Sequence, residues 1–105
     1  MVEAARDMIR PGVGELDVFS ALQAAAVASC GEMLTGTGND YACGARGGPP
    51  RLRPCVSGDL FILDLGPAYR GYFADTARVI AVDGRPTDVQ LAAWERVCGA
   101  LALVE

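Results

Sequence analysis

A chain of 105 residues with 51% hydrophobic content and a mean hydropathy of +0.26 suits one small globular domain and is too apolar to stay disordered. Its 13 acids against 9 arginines, for a net charge of −4, argue against a nucleic-acid or anionic-membrane surface. No apolar run approaches the ~20 residues of a membrane span, and the start MVEAARDMIR lacks the basic-then-apolar order of a signal peptide, so cytoplasm is the default expectation.

Val2, Ala5 and Ile9 stand at helical spacing, which predicts a helix over residues 2–9 ended by Arg10-Pro11-Gly12. A second helix is predicted from Glu15 to Ser29. Phe19, Leu22, Ala26 and Ser29 mark its buried side, and Gly31 is its stop. Gly14 precedes it and offers no capping side chain. Residues 35–40 read as a loop, and Tyr41-Ala42-Cys43 as a short strand. Arg46, Arg51 and Arg53 lie in the irregular connection that follows. They are read as a solvated loop in preference to a contact for a substrate carboxylate. Cys30, Cys43, Cys55 and Cys98 form no C-x-x-C pair, so they read as small buried thiols, not a zinc site or a disulfide framework. Thr87 to Gln90 is a capping box opening a third helix with an apolar stripe at Ala93, Val97, Ala100, Leu101 and Val104.

The chain is organised around Gly58 to Val82. Phe61, Ile62, Leu63 and Leu65 form a buried-strand run, and Tyr69 to Val82 is rich in β-branched and aromatic residues, as a second strand would be. A turn-prone Gly66–Gly71 segment between them predicts an antiparallel hairpin. With Tyr69-Arg70 at its tip, Gly66 opposes Phe73 and Asp64 opposes Asp75. Directly opposed residues share a face with β-carbons about 4.5–5.5 Å apart, so two carboxylates would meet on a largely apolar sheet. A protonated acid, an intervening arginine or a divalent cation would relieve them. Arg78 lies an odd number of residues from Asp75 and so points to the other face, which leaves metal as the better remedy. The alternative is a register one residue away, with one aspartate facing water.

Gly58, Asp59, Asp64, Gly66, Tyr69, Gly71, Tyr72, Asp75, Thr76 and Arg78 together resemble the signature of the pita-bread metallopeptidases, in their Xaa-Pro aminopeptidase and prolidase branch. The resemblance covers residues 1–105 as one partial domain, the first half of a catalytic domain whose C-terminal half is absent. It implies an α+β fold: half of a pita-bread (creatinase/aminopeptidase) unit, with an antiparallel sheet, flanking helices and a third helix across the sheet. The implied activity is hydrolysis of the peptide bond before proline, in a peptide with proline at its second position. Two divalent ions (Mn, Co or Zn) would be held by two Asp from this half and a His and a pair of Glu from the other. Asp64 and Asp75 match the two aspartates, and no residue here matches a catalytic one. The family's substrate-binding histidine falls on Gly47, with Pro50 and Arg53 at the family's proline and arginine, and the chain has no histidine at all. A histidine returned at 47 would supply a donor near the scissile amide. The chain alone is therefore expected to bind metal weakly or not at all and to be an inactive fragment; the alternative is a non-catalytic homologue that acts as a binding module. Its expected partners are the missing half or, through an uncovered sheet edge, a second copy.

Overall fold

The computed structural model describes all residues, Met1–Glu105. Three helices, α1 (Val2–Met8), α2 (Glu15–Cys30) and α3 (Asp88–Val104), accompany four strands, β1 (Gly36–Cys43), β2 (Leu60–Tyr69), β3 (Tyr72–Phe73) and β4 (Thr76–Ala81). This is the expected mixed fold with an antiparallel sheet. β2 is its spine, with β1 on one side and β3 and β4 on the other.

Alternation along β2 divides the sheet into two unlike faces. Phe61, Leu63 and Leu65 are buried, joined on the same face by Tyr41 and Cys43 of β1. Against them pack Ala5 and Ile9 from the first helical segment and Val18 and Leu22 from α2. Each large apolar side chain removed from water here contributes about 1.5–3 kcal/mol, and this layer is where the fold gains its stability. Ile62, Asp64 and Gly66 lie on the other face, which no helix covers, and are only half-buried. We call it the open face.

The hairpin differs from expectation in a way that has a simple cause. Its tip is Arg70-Gly71, not Tyr69-Arg70, because Tyr69 pairs with Tyr72 and Ala68 with Phe73. Arg70 has φ 52° and Gly71 φ 84°. A two-residue loop that matches strand twist needs positive φ at both positions, and glycine at the second supplies one of them without steric cost. Arg70 is held there by bonds of 2.9 and 3.1 Å to the Glu32 carboxylate. Gly66-Pro67 does not break the strand either; β2 runs through both residues to Tyr69.

Two further expectations are corrected. The predicted loop at 35–40 is mostly strand, since β1 begins at Gly36 and absorbs its glycines in register shifts between Thr37 and Asp40. The third helix does not lie across the sheet. Apart from half-buried Gln90, all of α3 is exposed, Trp94 and Leu101 included. α1 and α2 already fill the apolar sheet face, and α3 is tied down only at its start, where Gln90 Nε2 donates to Gly58 O at 2.7 Å. Its capping box is formed as predicted, and Gly31 closes α2 in the left-handed conformation. No helix is long and apolar enough to cross a membrane.

Candidate metal centre on the open face

The turn correction changes which residues oppose Asp64. β4 pairs so that Asp64 faces Ala77 and Leu65 faces Thr76. Asp75 is therefore not the direct partner of Asp64. Between β3 and β4 the register holds, because Ala74 N–H donates to Pro67 O at 3.0 Å. That places Asp75 beside Gly66, diagonal to Asp64, and on the same face by alternation. The displacement is by two residues, and an even shift preserves the face. Diagonal neighbours stand about 7–8 Å apart, within joint reach of a bound cation though not of each other. Arg78 directly opposes Leu63 on the helix side, as its odd spacing implied, and its guanidinium donates to Ala77 O at 2.7 Å. It neutralises neither aspartate.

β1 brings in an acid that the sequence reading assigned to a loop. Asp40 is the direct register partner of Asp64. Its Oδ1 accepts from Gly48 N–H at 2.5 Å, and Gly48 O accepts from Tyr41 N–H at 2.8 Å, so the 44–53 loop folds back over this end of β1. Gly47 lies in that loop with φ 136°, a conformation side-chain-bearing residues rarely adopt. A Cβ added to Gly47 would lie 2.9 Å from the Asp40 Cγ and Oδ1. A histidine placed at 47 would therefore have to displace the Asp40 carboxylate before its ring could act as a donor.

The same loop is anchored from the opposite face by Glu15. This carboxylate is fully buried at the start of α2. It accepts from Cys43 N–H at 2.9 Å and Arg51 N–H at 2.8 Å, and is gripped by the Arg51 guanidinium at 2.7 and 3.1 Å. Arg53 approaches it at 3.8 Å and reaches Asp59 at 3.4 Å. Burial pushes the Glu15 carboxyl up, but the Arg51 hydrogen bond and the backbone donors of Cys43 and Arg51 outweigh it and hold the group below its ordinary value of 4.5. Arg51 and Arg53 thus hold the loop in place. Arg46 is exposed. Of the cysteines, Cys43 and Cys55 are buried, Cys30 is half-buried and Cys98 exposed; burial, foremost, pushes the Cys55 thiol up to about 12, which makes it unreactive.

As a metal centre, the donor set is only partly sufficient. Carboxylate oxygens are the right chemistry for a hard or borderline divalent ion. Nowhere, however, do three or more His, Cys, Asp or Glu side chains converge closely enough to hold one. Asp64 and Asp75 thus offer two carboxylates on one face, fewer donors than such an ion needs. A groove of about 280 Å³ lined by Val2, Arg6, Ile9, Arg78 and Ile80 is centred between α1 and β4, away from all three aspartates.

Residues 1–104 match the family model described as metallopeptidase family M24. No curated protein matches the chain. Among solved structures, a prolidase from Pyrococcus furiosus superposes with a TM-score of 0.76 at 26% identity, over 94% of this chain and 30% of that one. An Xaa-Pro dipeptidase from Bacillus anthracis gives a TM-score of 0.69 at 27% identity, over 87% of this chain and 26% of the other. A proline aminopeptidase P II from Yersinia pestis gives 0.79 at 24% identity, over 93% and 23%, a likeness of fold alone. The chain therefore spans less than a third of the length of these solved relatives.

Proposed function

The chain belongs to metallopeptidase family M24, and from that premise we propose that it contributes the two-aspartate half of a dinuclear-metal site acting on peptides with proline in the second position. The observation that carries this reading is the placement of Asp64 and Asp75 on the one sheet face that no helix covers, with no arginine between them. The names of two similar structures, a prolidase and an Xaa-Pro dipeptidase, support the choice of the proline-directed branch. Asp64 and Asp75 would be metal ligands; Mn²⁺, Co²⁺ or Zn²⁺ would supply Lewis acidity toward a peptide carbonyl when bound. Since two donors are too few for such an ion, the 105 residues alone should bind it weakly and turn nothing over. The remaining ligands would come from a partner segment or from further chain, and self-association through the uncovered sheet and α3 is the other use of those surfaces. Cytoplasm remains the proposed compartment.

The test is thermal melting with and without Mn²⁺ or Co²⁺. The metal is expected to raise the melting temperature of the wild type but not of Asp64→Asn or Asp75→Asn. Equal stabilisation of all three would remove the metal-ligand reading. A second reading, a non-catalytic binding module, is favoured by one observation: Asp40 fills the space at Gly47 where a substrate-binding side chain would sit. Metal binding without cleavage of an Xaa-Pro peptide by the completed domain would select it.

A further inference from the structure

The groove between α1 and β4 lies outside the metal reading, and two unsatisfied features meet there. The first is a free sheet edge. Val82 N–H donates to Asp59 O at 3.1 Å and Ala74 N–H to Pro67 O at 3.0 Å, in the same register that pairs Arg78 with Leu63. Even-numbered residues of β4 therefore bond to β2, and alternation turns the N–H and C=O of Ala77 and Val79 outward. No strand lies beyond them, and β4 carries neither a proline nor a bulge that would blunt an exposed edge. The second feature is charge without a partner. Arg6 and Arg78 line the groove beside Val2, Ile9 and Ile80, and neither pairs with a carboxylate. Arg78 instead donates to Ala77 O at 2.7 Å, one of the outward carbonyls.

We propose that this edge takes up an extended acidic peptide strand, which pairs antiparallel to β4 and points alternate side chains into the groove. Peptide residues opposite Ala77 and Val79 exchange backbone bonds with them. The residues between fall on the helix side with Arg78 and Ile80, where carboxylates meet the two arginines and apolar side chains lie on Val2, Ile9 and Ile80. A carboxylate is the stronger acceptor for a guanidinium, so the incoming acid draws Arg78 off Ala77 O and frees that atom for the strand. Charge decides between occupants. A second copy pairing β4 with β4 would bring the arginines of both chains to one seam, and like charges across a strand pair repel. An acidic segment neutralises them. Because the whole chain carries −4, its attraction for an anionic peptide is confined to this seam.

The probe is an acetylated, amidated heptapeptide, Thr-Glu-Thr-Val-Thr-Glu-Thr, whose Glu, Val and Glu share one face of a strand. It is titrated into the full ¹⁵N-labelled chain at low salt while the Ala77 and Val79 amides are followed by NMR. It is expected to shift both amides and to bind roughly tenfold more tightly than its Gln-for-Glu analogue, the combined effect of two exposed ion pairs. Arg6→Gln combined with Arg78→Gln should abolish that preference while the melting temperature stays put, since both side chains are exposed. N-methylation of the two central threonines of the peptide keeps its charges but removes the amides that face β4, and should abolish binding. Equal affinity for the two peptides, an undiminished preference in the double variant, full-strength binding of the N-methylated peptide, or no binding at all would each overturn the proposal. So would movement of the same two amides with protein concentration alone, which would assign the edge to a second copy.

Discussion

The two faces of this sheet treat acidic side chains in opposite ways. On the helix side Glu15 is fully buried, yet every approach to it is a donor: two backbone N–H groups and the fork of Arg51. On the open side Asp40, Asp64 and Asp75 are at least partly exposed, and no arginine serves them. The first acid is consumed by the fold; the other three are left with coordination to spare. Position relative to the core, more than residue type, therefore separates a structural carboxylate from one available to a ligand.

Removing Glu15 should break that contrast most severely. Glu15→Ala strands buried backbone donors and the Arg51 guanidinium, and is expected to cost about 3 kcal/mol, toward the low end for a broken buried pair because Arg51 keeps partial contact with water. Urea unfolding checks it. The same residue gives the wild type a pH dependence. Its folded pKa lies below 4.5, so its contribution is complete above that value and disappears as pH falls through the folded pKa. Glu15→Gln should flatten this acid limb, visible as a urea midpoint that changes less between pH 6 and 3, an interval that brackets the ordinary carboxylate range.

A smaller loss is expected at the junction of the two faces. Gly47→Ala places a Cβ in contact with Asp40 at a backbone angle that alanine resists, for about 1–3 kcal/mol. Pairing it with Asp40→Gly should recover the contact portion and leave the backbone portion, a separation that a double-mutant cycle in denaturant measures. The smallest effect has the opposite sign. Without metal, Asp64→Asn should stabilise the chain by roughly 0.2–1 kcal/mol, because it removes a like-charge pairing with Asp40. A destabilised Asp64→Asn would place that carboxylate among the structural acids with Glu15.

Much of the fold was legible in the residues, for identifiable reasons. The capping box at Thr87, the stop at Gly31 and the alternation of Phe61, Leu63 and Leu65 are local signals that their surroundings do not override. The hairpin tip was misplaced because Tyr69-Arg70 and Arg70-Gly71 are both short enough, and only the need for positive φ at both positions favours the pair ending in glycine. β1 was hidden by Gly36, Gly38, Asn39 and Asp40, a turn-like composition that the sheet accommodates by register shifts. Asp40 was lost with it. No local signal marked Glu15 as buried either, since its partners Cys43 and Arg51 are far along the chain and meet it only once the loop folds back. The α3 stripe was read correctly as apolar, but periodicity states that a face wants covering and not what covers it.

The contact between Asp40 and Gly47 also imposes an order on change. A side chain can enter at 47 only after position 40 has given way, and then only with a backbone adjusted from φ 136°. Replacing residue 40 first exposes one loop amide to water; replacing residue 47 first must also push the Asp40 carboxylate aside and strain the backbone. The two sites are thus epistatic with a direction: a library that randomises 47 alone should be enriched in glycine, and one that randomises both should lose part of that enrichment where residue 40 is small.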